Sequence, residues 1–242
     1  MKTLIYAKRN LKELLSDPVS LIFTIGLPVF LLIFMVSLNE NLGINDVYKV
    51  ENFVPSTIIF SYAFLTMFSG MLVAKDRSSA FLSRMFISPL KPHHYILGYM
   101  IPLLLIALIQ SIILYAVGFI MGLPITIHVL TSLPFLLLIS LLFIGLGILF
   151  GSLLKDQQVG PITSILIQVV AFLSGMWFSL DLVGGFFKQV GYALPFAHGV
   201  DMVRSVIAGD YTTILIPLVV VCTYSIASII CSIIMFKKQM SS

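Results

Sequence analysis

The sequence holds 242 residues, 59% hydrophobic and only 10% charged, with a formal net charge of +4 and a mean hydropathy of +1.10. Soluble chains carry roughly 25% charged residues, so a soluble domain is excluded and an all-α integral membrane protein is expected. The basic excess does not point to nucleic acid, because Lys and Arg collect in the cytoplasmic loops of membrane proteins and fix their orientation.

Residues 1–16 read as an amphipathic helix. Leu4, Ala7, Leu11, Leu14 and Leu15 form an apolar stripe, with Lys8, Arg9 and Lys12 off it. Such a helix is expected to lie flat in the headgroup layer. Ser16-Asp17-Pro18 ends it and starts the next, since Asp17 can cap and Pro18 suits a first helical turn. Six apolar runs follow, at 19–38, 53–74, 95–122, 130–154, 161–180 and 213–236. Each approaches or exceeds the ~20 residues that a spanning helix needs. The first is expected to be a span, not a leader, because a long polar lead precedes it and further spans follow. Eleven of the 14 Lys and Arg fall on one side of these spans. The opposite side holds Lys49, Lys188 and Arg204, so both termini are expected in the cytoplasm.

Two connections stand out. Residues 75–94 carry Lys75, Arg77, Arg84 and Lys91 against one acid, Asp76. Within them 79–87 is amphipathic at helical spacing, with Phe81, Leu82, Met85 and Phe86 on one side. Ser88-Pro89 and Lys91-Pro92 stop that short helix. On the outer side, 181–212 is too long for a turn and too broken to span. It reads as two short helices, 183–192 and 199–208, separated at Leu194-Pro195. Two arrangements are open: a re-entrant hairpin dipping into the outer leaflet beside an exit, or a surface hairpin that caps the bundle. Irregular backbone at membrane depth needs protein or water around it.

The chemistry that is missing narrows the function. The six runs contain no Asp, Glu, Lys, Arg or His, whereas proton relays and many ion-coupled carriers place ionisable groups there. Gln110, Gln168 and Tyr62 are the larger polar groups inside the runs, and each could line a path or bond one helix to another. No G-x-x-x-x-G-K-[ST] occurs, so a P-loop for ATP is excluded. His93, His94, His128 and His198 lie in expected loops without metal-ligand spacing. No nucleophile–base arrangement can be argued from spacing, so no catalytic, cofactor-binding or metal residue is assigned. Cys222 and Cys231 sit about 13 Å apart on one helix, beyond disulfide reach, and read as packing residues. Gly118/Gly122 and Gly147/Gly151 are small-residue pairs that permit close helix contact. Trp177 reads as an interfacial anchor.

Over essentially its whole length this layout resembles the ABC-2 type permeases, membrane subunits of ATP-driven exporters with the type V fold. Two local patterns carry the likeness. One is Asp76-Arg77, the 81–87 helix, Ser88-Pro89 and Gly98. The other is Leu194-Pro195, Asp201, Arg204 and Gly209 ahead of the last span. Ser78-Ser79 departs from the Gly-Thr that many members carry, which bears on the geometry of the coupling loop. The resemblance implies six spans, an interfacial N-terminal helix and a re-entrant hairpin between the fifth and sixth spans, in one domain covering 1–242. It implies a plasma-membrane half-transporter that pairs with a second permease copy or a paralogue. Two separate subunits would bind ATP and Mg beneath it. Asp76, Arg77, Phe81, Arg84, Met85 and Pro89 would then couple to those subunits, and Pro195, Asp201, Arg204 and Gly209 would shape the outer segment. A lipid, an amphipathic drug, a hydrophobic peptide or a lipid-linked glycan would suit the apolar walls. The alternative is an ATP-independent channel or facilitator. An intramembrane lipid-modifying enzyme is disfavoured, because the runs offer no buried acid or base.

Overall fold

The computed structural model describes residues 2–79 and 92–240. The amphipathic helix expected over 79–87, and with it Phe81, Arg84, Met85 and Pro89, lies outside the described residues.

Every element among the described residues is helical. Helix α1 covers Lys2–Leu15. A short α2, Pro18–Leu21, runs through a π-helical turn, Ile22–Gly26, into α3, Leu27–Leu42. A 3-10 turn, Asp46–Tyr48, precedes α4, Val50–Ser78. Then come α5, Pro92–Ile120, and α6, Ile127–Leu153. Helix α7, Asp156–Leu173, leads to three short helices: α8, Leu180–Val183; α9, Gly185–Ala193; and α10, Pro195–Ala208. Helix α11, Leu215–Met240, ends the chain.

Local chemistry sets several boundaries. Leu194 precedes a proline and is extended (φ −98°, ψ 153°), and Pro195 opens α10, as expected for a residue crowded by the next ring and for a proline at a first helical position. Gly209 closes α10 in the left-handed region at φ +77°, where a side chain is strained. The expected outer pair of helices is present, with the second starting at Pro195 instead of residue 199.

Helix α4 is the centre of the bundle. It packs against α3, α5, α6, α7 and α10, and its most apolar stretch is 89% buried, against 22% for those of α3 and α11. Its closest neighbour is α6, and the reason is missing side chains. Gly147 and Gly151 of α6 lie against Gly70 of α4. A methyl group on Gly151 would sit 2.4 Å from the Gly70 carbonyl. In the other small-residue pair only Gly118 makes such a contact, against Val54, while Gly122 belongs to the turn after α5. Cys231 lies on the exposed side of α11, and Cys222 is half-buried.

Five described helices are long and apolar enough to cross a membrane: Ile22–Leu42, Val50–Ser78, His94–Ile120, Ile127–Leu153 and Leu215–Lys238. The run expected at 161–180 differs from the helix observed. Helix α7 starts earlier, at Asp156, and stops at Leu173, where Ser174–Ser179 turns away through Gly175 at φ +76°. Its 18 residues give about 27 Å at ~1.5 Å per residue, slightly short of a ~30 Å hydrocarbon core. Asp156, Gln157 and Gln158 take up its first turn.

Candidate functional site

The densest polar constellation lies where α1 crosses the ends of α4 and α5. Helix α4 does not stop at Ala74, as the apolar run suggested. Lys75-Asp76-Arg77-Ser78 contains no helix breaker, so the helix continues and carries Asp76 inward. The carboxylate is only 1% exposed. This corrects the expectation of an interior without acids: an isolated buried carboxylate is very costly, and it is tolerated here because its oxygens are bonded.

Arg9 on α1 supplies two of those bonds. Nη1 donates to Oδ2 at 2.6 Å and Nη2 to Oδ1 at 2.7 Å. Two hydroxyls complete the set, Tyr6 at 3.1 Å and Tyr99 of α5 at 2.9 Å, both to Oδ2. Planar guanidinium matches carboxylate geometry, and such charge-assisted pairs are the stronger hydrogen bonds. Burial, and then the Asp76 charge, push the Tyr6 hydroxyl well above the usual phenol range, so it remains a donor. For Arg9, burial works against the charge, but bonding to Asp76 and the charges of Asp76 and Glu13 outweigh it and raise the guanidinium above its ordinary value.

Further contacts extend the cluster. Glu13 bridges Arg9 at 2.7 Å and Lys75 at 2.8 Å. Asn10, fully buried, donates to the Gly98 carbonyl of α5 at 3.0 Å. Gly98 must be small here, since a methyl group on it would lie 2.2 Å from Cδ1 of Tyr6. The docked face of α1 therefore adds Tyr6 and Asn10 to Ala7, Leu11 and Leu14 of the expected stripe, while Leu4 and Leu15 point outward. Hydrophobicity alone leaves Tyr6 and Asn10 out of this face because both are polar.

Arg77 turns the other way. Its guanidinium donates to the carbonyls of Ser152 and Leu154 at the end of α6. The last carbonyls of a helix lack intrahelical partners and carry negative partial charge, so a cation there is favourable. Asp76 and Arg77, adjacent in sequence, thus bind α4 to α1 and α5 on one side and to α6 on the other. A cavity of about 220 Å³ lies between this cluster and the start of α7, with Lys75 and Glu13 on one wall and Asp156 on the other.

At the opposite end of α4, Arg204 of α10 donates from Nε to the Asn52 carbonyl at 3.1 Å. Its Nη2 reaches Ser56 Oγ at 2.8 Å and the Gly175 carbonyl at 3.3 Å. Asp201, one turn earlier, accepts from the Tyr192 hydroxyl of α9 at 3.0 Å. The two do not form the local i, i+3 ion pair that their spacing allows, since each has partners on a different element. Pro195 and Gly209 bound the same helix.

The other polar residues separate. Gln110 is fully buried and donates to the Thr24 carbonyl at 3.0 Å, within the π-helical turn. Tyr62 is buried and bonds to Ser111. Both therefore join helices. Gln168 lies exposed on α7. His94, His128 and His198 fall in the first turns of α5, α6 and α10 instead of loops, and no group of three or more potential metal-ligating side chains occurs among the described residues. Trp177 sits in the turn after α7, where its carbonyl accepts from Tyr48 at 2.7 Å.

A family model described as ABC-2 type transporter matches residues 1–208. The chain is also 21% identical over 198 residues to a Bacillus subtilis (strain 168) protein, YvfS, whose name describes it as a transport permease, with 78% of each chain covered.

Proposed function

The chain belongs to the ABC-2 type transporter family and is a multi-pass membrane transport permease, and on that premise we propose that it is the plasma-membrane subunit of an ATP-driven exporter. Two separate cytoplasmic subunits bind ATP and Mg. Their closure pushes on the basic connection after α4, residues 80–91, and on α1. Both termini face the cytoplasm, in accord with the distribution of Lys and Arg.

The observation that carries this reading is the burial of Asp76 under Arg9, Tyr6 and Tyr99. It joins α1, α4 and α5 into one unit at the end where the basic connection begins. A force applied there moves three helices together instead of bending one. Arg77 extends the unit to α6. Rigid-body tilting then follows, because packed helices shift between discrete arrangements and do not deform continuously.

The translocation path forms between two permease copies or paralogues, with α7 as a sixth crossing. Gln157, Ser164 and Gln168 lie exposed on α7. Polar side chains within a span face protein or a water-filled cavity, not lipid, so this face suits a partner copy and a path. The apolar walls favour a lipid, an amphipathic drug, a hydrophobic peptide or a lipid-linked glycan as cargo.

The test is to purify the chain from its native host and ask what accompanies it. The expected result is a stoichiometric nucleotide-binding subunit and ATP hydrolysis by the complex. Solute flux through liposomes holding this chain alone, without ATP, would overturn the reading in favour of a channel.

A further inference from the structure

The contacts at the two ends of α4 differ in kind. At one end a buried ion pair and an arginine cap hold it to α1, α5 and α6. At the other, α10 packs through apolar residues such as Val200 and Val203, and the described side-chain hydrogen bonds that join it to α4 come from one cation, Arg204. Its guanidinium reaches three acceptors on two elements: Asn52 and Ser56 on α4, and Gly175 in the turn after α7. All three acceptors are neutral. The Asp201 charge favours a cation here, and a rigid fork of donors meets this geometry in a way that a point charge does not.

We propose that Arg204 is the positioning residue through which α4 moves the outer segment, so that displacement at Asp76 is delivered to α10. This rests on the reading of the chain as an ATP-driven permease. Helix α4 suits the task, being 29 residues long and the most buried span. Next in line is Asp201, one turn from Arg204, which passes movement of α10 to α9 through Tyr192. The paired residues thus face different neighbours because each serves a different joint. Ser56 has a second role: its hydroxyl donates to the Asn52 carbonyl at 2.8 Å, so both α4 acceptors of Arg204 are bonded to each other and move as one.

The experiment uses the complete complex with its ATP-binding subunits, with Cys222 and Cys231 replaced by Ser. Spin labels at Glu40→Cys and Gln189→Cys report the outer end, and labels at Lys8→Cys and Lys155→Cys report the inner end. All four positions are exposed. With native Arg204, ATP should shift both distance distributions. In Arg204→Gln the inner shift should persist and the outer shift should be lost, a separation that a merely structural role would not produce. If Arg204→Gln fails to assemble, Ser56→Ala removes one acceptor and should shrink the outer shift while leaving the inner one whole. An outer shift of native size in either assembled variant overturns the proposal. Absence of both shifts with Arg204 intact would instead overturn the ATP-driven reading itself.

Discussion

Arg9 and Asp76, 67 residues apart in sequence, meet through two parallel hydrogen bonds of 2.6 and 2.7 Å. The acid is buried and the base is half-exposed, so the two partners are unequal. Removing Arg9 leaves a buried carboxylate with two tyrosine hydroxyls, whereas removing the charge of Asp76 leaves a guanidinium that water and Glu13 can serve.

Arg9→Gln is therefore expected to destabilise the protein more than Asp76→Asn. The double variant should cost less than the sum of the singles, with a coupling of about 1–3 kcal/mol, in the range for contacting charged groups. Unfolding midpoints in mild detergent across the four-protein cycle check this. Additive effects would mean that the pair contributes nothing of its own.

Gly98→Ala should lift α1 from the bundle. The added methyl meets a ring carbon of Tyr6 at 2.2 Å, and overpacking of this kind costs about 1–3 kcal/mol. Amide exchange should rise across residues 2–15 and stay unchanged in the middle of α6. Adding Tyr6→Ala should relieve the clash but not restore protection, because the hydroxyl on Asp76 is lost with the ring.

Much of the frame was legible in the sequence, for physical reasons that also mark where legibility stops. Apolar runs of spanning length revealed the long helices, and Leu194-Pro195 revealed the break between α9 and α10. The fifth run misled because Ser174–Ser179 is apolar enough to continue a hydropathy pattern, while Gly175 adopts a positive φ that ends the helix. Asp76 and Arg77 were readable as a charged pair of interest, but not as a buried one. Their partners Arg9, Tyr99, Ser152 and Leu154 lie far away in sequence, and no local period encodes them. Asp201 and Arg204 show the opposite case: their i, i+3 spacing allows a local pair, and tertiary partners on other elements separate them.

The glycines of the bundle should sort by what surrounds them. Gly151→Ala places a methyl 2.4 Å from the backbone carbonyl of Gly70, and backbone cannot step aside. It should cost about 1–3 kcal/mol or prevent folding. Gly160→Ala meets nothing within 4 Å and should be neutral or stabilising by up to about 1 kcal/mol, through helix propensity. Yield and melting midpoint of the two variants, measured side by side, decide the point.

Asp201 should make the outer segment sensitive to pH. Burial raises its carboxyl above the ordinary 3.8; the Tyr192 hydroxyl, Arg204 and His198 oppose that rise, and Asp181 adds to it. A carboxyl with a raised folded pKa binds its proton more tightly in the folded state. Its stabilising effect is therefore full below the unfolded value and is lost as pH climbs through the folded one. Protection of α9 and α10 from amide exchange should fall as pH rises above about 4. Asp201→Asn should remove that component.

Arg77 offers a test of whether the inner end of α4 acts as one unit with α6. Its guanidinium holds the Ser152 and Leu154 carbonyls, which close α6. Arg77→Gln removes the charge but keeps a donor, and should cost about 1 kcal/mol, as loss of a favourable charge at a helix end does. Arg77→Glu sets an anion against carbonyl oxygens and should cost more, fraying the last turn of α6 around residues 150–154. Under the proposed ATP-driven function, the two variants in the assembled complex should also rank in the same order for loss of substrate-stimulated ATP hydrolysis, since α6 would be released from the helices proposed to receive the push. Normal stimulation in Arg77→Glu, at native expression and with α6 frayed, would show that α6 takes no part in coupling and that the inner unit ends at α5.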